Sequence, residues 1–126
     1  MNLNKSFLNH CKKKNYEINT NQLSIINDLN NFYNINFRKS FWSKIFSKKI
    51  NKFGFYLQGD VGVGKTMILD FFFNELKERK IRLHFNEFMI KFHDFIFLNK
   101  DKDLGINNFV KDLKKKHNFY ILMNFK

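Results

Sequence analysis

Residues 59–66 read Gly-Asp-Val-Gly-Val-Gly-Lys-Thr, which fits the pattern Gly-x-x-x-x-Gly-Lys-[Ser/Thr]. Three of the chain's 5 glycines fall in these eight residues. An apolar run, residues 53–58, precedes the octet and reads as a buried strand. Residues 65–80 follow it with Ile68, Leu69, Phe72, Phe73 and Leu76 at near-helical spacing. Strand, glycine loop and helix is the context in which the octet acts as a phosphate-binding loop. It restricts the chain to an α/β architecture of the P-loop NTPase kind. The alternative is a glycine-rich strand-to-helix turn beside a capping threonine.

The chemistry follows from the anion to be held. Glycines at 59, 62 and 64 let the backbone turn tightly and point N–H groups inward around phosphate. The helix beginning near Lys65 adds partial positive charge at its N-terminus. Lys65 reaches the β- and γ-phosphates of a bound triphosphate, and Thr66 places its hydroxyl on Mg²⁺. Candidate nucleotide-binding residues are therefore Gly59, Asp60, Val61, Gly62, Val63, Gly64, Lys65 and Thr66, with Thr66 also the candidate metal ligand. No residue is assigned a catalytic role.

The remaining elements order themselves around this loop. Residues 18–37 carry Leu23, Ile26, Leu29 and Tyr33 at helical spacing behind the capping candidates Asn19, Thr20 and Asn21. Residues 81–85 read as a strand and 87–98 as a helix with Phe88, Phe92, Phe95 and Ile96 inward. A charged loop spans 99–105, a helix 106–116, and a third strand 119–123. The alternation predicts a three-layer fold with a parallel sheet. Three segments are expected: a basic N-terminal tail (1–17), a helix plus basic aromatic linker (18–52), and a partial P-loop NTPase domain (53–126).

A net charge of +12 over 126 residues invites a nucleic-acid or membrane reading. Composition offers a simpler cause. Phe, Tyr, Met, Ile, Asn and Lys, all with AT-rich codons, dominate, whereas Ala and Pro are absent. Arginine, the better phosphate and base reader, occurs only at 38, 79 and 82. Lysine excess is then partly mutational, and nucleic acid is not an expected partner. The linker carries Phe41 and Trp42 among Lys39, Lys44, Lys48, Lys49 and Lys52. It either docks its aromatics on the domain or makes a peripheral membrane or polyanion contact. His10, Cys11, His84, His93 and His117 show no metal-ligand spacing. Asp70 is expected in a solvent or packing contact. The lone Cys11 excludes an internal disulfide and fits a reducing, cytoplasmic setting.

The stretch around the loop, residues 54–72, resembles the ZapE family of AAA+ ATPases associated with bacterial cell division. So does His84-Phe85-Asn86-Glu87-Phe88-Met89 followed by His93, where the family usually has His at the position of Asn86. Residues 19–29, including Gln22, are similar to the family's segment ahead of the loop. The resemblance implies an AAA+-like fold, ATP and Mg²⁺ as ligands, and hydrolysis of ATP to ADP and phosphate. It also implies oligomeric action and partners in cell division or protein quality control. The family's third strand ends in Cys-Phe-Asp-Glu-Phe-Gln, whose acids support Mg²⁺ and polarise the attacking water. Met123 and Asn124 fall on those acids here, or Asn124 and Phe125 in the neighbouring register, and no Asp or Glu follows Asp112. The fold is accordingly expected to be truncated after its third strand, with nucleotide binding retained and turnover lost. Two other functions stay open: a non-catalytic interaction fragment or decayed gene product using the basic aromatic surface, and a small P-loop kinase, for which no lid arginine is suitably placed.

Overall fold

A computed structural model describes residues 2–37, 54–60, 62–99 and 105–123. The chain divides into two compact units, Met1–Glu75 and Leu76–Lys126.

The first unit is helical. Helix α1, Leu3–Lys14, starts at Asn2, whose side chain accepts from the Lys5 backbone N–H at 3.2 Å. It ends at Asn15 in the left-handed conformation (φ 54°), with Tyr16 N–H returning to Cys11 O at 2.9 Å. Leu3, Phe7 and Cys11, spaced four apart, form one fully buried stripe, and Lys12, Lys13 and Lys14 sit at the dipole's negative end. Burial pushes the Cys11 thiol pKa up. This helix lies within the stretch expected as a basic tail.

Helix α2, Thr20–Phe37, begins after Asn19, whose side chain accepts from Asn21 N–H at 2.8 Å. It buries Ile26, Leu29, Phe32 and Tyr33. Helix α3, Lys65–Glu75, buries Ile68, Phe71 and Phe72. The Phe7 and Phe71 rings meet edge to face with centroids 5.1 Å apart, which ties α1 to α3. Among the described residues no helix is long and apolar enough to cross a membrane.

Residues 54–58, expected as a strand, carry no strand pairing. A strand exists through its ladder, and here the backbone has no ladder partner among the described residues. Phe55 instead sets its ring 5.9 Å from that of Phe32 on α2, while Tyr56 is 85% exposed. Phe53, the first residue of the expected strand, lies outside the described residues, as do Phe41, Trp42 and the linker lysines.

The second unit holds a two-stranded parallel sheet, β1 (Lys80–His84) and β2 (Phe119–Met123), paired from Lys80 with Phe119 to His84 with Met123. Two strands, not three, therefore form the described sheet, and the full three-layer arrangement is not seen. The parallel crossover runs through α4, Phe85–Leu98, and α5, Gly105–Lys116. Helix α3 stops five residues earlier than its apolar spacing suggests. The Arg79 carbonyl accepts from Asn118 N–H at 2.7 Å and Phe119 N–H at 3.1 Å, so the backbone here is already committed to the sheet. Helix α4 starts two residues earlier than expected, because the Glu87 carboxylate reaches back to the His84 backbone N–H at 3.0 Å. The unit's core is aromatic. Phe109 of α5 is 3% exposed and touches Phe88, Phe92 and Phe95 of α4 with centroids 5.5, 5.3 and 5.4 Å away. Phe119, Ile121 and Met123 form the buried face of β2.

Candidate functional site

The glycine octet sits where the chain leaves residues 54–58 and enters α3. Gly62 and Gly64 both have positive φ, 86° and 83°, a region that side-chain-bearing residues rarely adopt. A Cβ added at Gly62 would meet nothing within 4 Å. One at Gly64 would lie 2.7 Å from Gln22 Nε2 of α2 and 3.8 Å from Met67 Cε. One at Gly59 would lie 3.3 Å from Val63 Cγ2 and 3.7 Å from Lys65 Cδ, so the loop folds back on itself. Val61 lies outside the described residues.

Lys65 is the first residue of α3 and Thr66 the second. The first helical hydrogen bond runs from Ile68 N–H to Gly64 O at 3.0 Å, which leaves the N–H groups just before it without helical acceptors. The Lys65 ammonium bends back over the loop and donates to the carbonyl oxygens of Gly59 and Asp60. Thr66 is exposed. Glycine turns, helix N–H groups without helical acceptors and the Lys65 ammonium thus converge on one short stretch, an arrangement suited to an anion with several acceptor oxygens. A helix was readable here because the motif ends in Lys65 and Thr66 just before the apolar spacing that starts at Ile68.

Gln22 was legible as a helix residue, but nothing in helical spacing says that it meets the loop. Its Oε1 is shut off from solvent and has no hydrogen-bond partner. His84 and His93 sit at the start and middle of α4, and among the described residues no three His, Cys, Asp or Glu side chains are grouped to hold a metal ion. Asp70 lies half-buried on α3.

Comparison with known proteins adds a family to this geometry. The model of the AFG1-like ATPase family matches residues 1–125. The chain belongs to the AFG1-like ATPase family. Cell division protein ZapE of Escherichia coli strain K12 is 50% identical over 42 residues, which is 32% of this chain and 11% of ZapE. Lactation elevated protein 1 homolog B of Danio rerio is 49% identical over 41 residues, 32% of this chain and 8% of that protein. An uncharacterized protein of Schizosaccharomyces pombe is 46% identical over 43 residues, 32% and 10% of the two chains. The matched stretches span only about a tenth of these curated relatives. No solved structure matches this AFG1-like chain at a significant level. The family membership and the ZapE likeness make it an AAA+ ATPase-related module, with nucleotide binding implied.

Proposed function

We propose that residues 59–66 bind the triphosphate of ATP. Gly59, Asp60, Val61, Gly62, Val63 and Gly64 supply the backbone cradle, Lys65 the cation, and Thr66 the hydroxyl for Mg²⁺. The observation that carries this is the pose of Lys65. Its ammonium is held by the loop's own carbonyls at Gly59 and Asp60, acceptors that it can exchange for phosphate oxygens. The residues fit the ligand: two positive-φ glycines shape the turn, and the open end of α3 faces the same stretch. Thr66 is an exposed residue, and a hydroxyl oxygen suits a hard cation. Mg²⁺ held at Thr66 would supply positive charge to offset that of the triphosphate.

Binding without turnover is the activity assigned to this chain. Water attack on the γ-phosphate needs a carboxylate to position it, and β2 ends in Met123, a buried thioether. Cell division is the proposed setting, supported by the likeness to ZapE. Partner proteins of the division or quality-control kind, and action as an oligomer, belong to the same proposal.

Calorimetric titration of the chain and of Lys65→Ala with Mg-ATP tests this. Loss of a charge-assisted contact to phosphate should weaken binding by about tenfold or more. Equal binding by the two proteins, or none by a folded wild type, overturns the assignment. ATP turnover by the chain that disappears in Lys65→Ala would overturn its second half.

A further inference from the structure

The second unit carries an open groove of about 540 Å³ between the end of α4 and one side of α5. Phe95 and Asn99 line it from α4, and α5 adds Asn108, Lys111, Asp112, Lys114 and Lys115. Asn108, Lys111, Asp112 and Lys115 lie three, four and seven residues apart, so they form one stripe along α5. The stripe is about 10 Å long.

Charge in the groove is unbalanced. Asp112 is taken by Lys116, whose ammonium lies 3.1 Å from its carboxylate. Lys111, Lys114 and Lys115 are exposed and have no ion pair among the described residues. Lysines near a helix C-terminus offset the negative end of its dipole. Here Arg79 already serves that end, donating to Lys115 O at 3.3 Å and to Asn118 Oδ1 at 3.4 Å. The three ammonium groups therefore leave a positive field over the groove. Its floor is different. Phe95 is half-buried, with its ring centroid 5.4 Å from that of Phe109. The Asn108 carboxamide makes no hydrogen bond among the described residues, so a donor and an acceptor stand ready beside the ring.

We propose that this groove docks an acidic peptide segment anchored by a large apolar side chain. The apolar residue covers Phe95, Asn108 pairs with the peptide backbone, and carboxylates meet Lys111, Lys114 and Lys115. Three or four residues of extended chain span the stripe, enough to set an anchor between acids. Shape and chemistry favour this occupant. A bilayer is flat and does not reach a half-buried ring on the floor of a groove. Single-stranded nucleic acid is held by stacking on open aromatic faces, whereas the Phe95 ring already packs on Phe109. The site uses none of residues 59–66 and stands or falls apart from nucleotide binding.

The test is fluorescence anisotropy of a fluorescein-labelled, end-capped peptide, Glu-Glu-Asp-Leu-Phe-Asp-Glu-Glu, titrated with the whole chain. Binding should weaken by about tenfold or more between about 0.05 and about 0.5 M salt. Replacing Leu-Phe of the peptide by Ser-Ser should cost about tenfold as well. The triple variant Lys111→Gln, Lys114→Gln and Lys115→Gln should lose tenfold or more, about the effect of three charge pairs. Its control neutralises Lys12, Lys13 and Lys14, which end α1 in the same way but do not line the groove. That control should bind like the wild type. Far-UV circular dichroism checks both variants. Amide shifts that the peptide induces in the wild type, read by NMR, should centre on Phe95, Asn99, Asn108 and Lys111 whatever the variants do. No binding at low salt overturns the proposal, as do equal losses in the two triple variants, which would trace binding to net charge. Shifts centred elsewhere overturn it, and so does indifference to the Leu-Phe pair. Tighter binding of oligothymidylate, or of vesicles containing phosphatidylglycerol, through the same three lysines would overturn the choice of occupant.

Discussion

Replacing Gly64 by alanine separates the two reasons why that position carries no side chain. Gly62 supplies the reference. At φ 86° with nothing within 4 Å of an added Cβ, Gly62→Ala carries only the left-handed backbone penalty, about 1–2 kcal/mol. Gly64 has nearly the same φ, 83°, but its Cβ would stand 2.7 Å from Gln22 Nε2, where ordinary contact begins at 3.4 Å. The end of Gln22 must retreat by several tenths of an ångström. Driving it off its rotamer costs a further ~0.5–1.5 kcal/mol. Gly64→Ala should therefore destabilise by about 2–3 kcal/mol, roughly 1 kcal/mol more than Gly62→Ala. Urea unfolding followed by far-UV circular dichroism measures both, and a double-mutant cycle isolates the contact. In a Gln22→Ala background the excess should vanish, leaving Gly64→Ala equal to Gly62→Ala. An unchanged cost of Gly64→Ala in that background would refute the claim that Gln22 lies against the loop. A cost at Gly62 as large as that at Gly64 would do the same.

Two further predictions concern the cores. Phe109→Ala should cost about 3–5 kcal/mol in urea unfolding, because Phe109 is 3% exposed and holds three rings of α4. Ile106→Ala, at a side chain 56% exposed on the same helix, should change stability by no more than about 0.5 kcal/mol; equal losses would deny that α5 packs through Phe109. Cys11 should react with iodoacetamide slowly in the folded chain and readily in urea, since its thiol is buried and its pKa raised. The folded state holds that proton longer than the unfolded one, so Cys11's contribution is intact below the unfolded thiol's pKa of about 8.5 and declines as pH rises beyond it. Equal labelling rates in the two states would place Cys11 at the surface.

Much of the local structure was legible because single residues announce it. The apolar run of residues 119–123 gave β2 its observed bounds. Asn19 marked the start of α2, and the motif marked the start of α3. What was hidden depends on partners. The Leu3, Phe7 and Cys11 stripe is helical in spacing, yet the lysines and asparagines between those residues make the stretch read as a solvated tail until Phe71 is seen against Phe7. Residues 54–58 have the composition of a strand, but composition cannot supply a ladder, and Phe55 packs on Phe32 instead. The same limit hid Gln22. Its helix was readable, whereas its place over Gly64 is a tertiary fact.

The parallel pairing of β1 with β2 also sets an order of events in folding. Arg79 and Asn118, which meet at the start of the sheet, are 39 residues apart. Closing a loop of that length costs about 2 kcal/mol more chain entropy than closing a single helical turn. No hairpin can shorten the route, because parallel strands require a crossover. Contacts between α4 and α5 shorten that loop, so they are expected to form before the strands pair. Substitutions in that helix pair, such as Phe109→Ala, are therefore expected to slow folding, whereas changes confined to the β1–β2 ladder should mainly quicken unfolding.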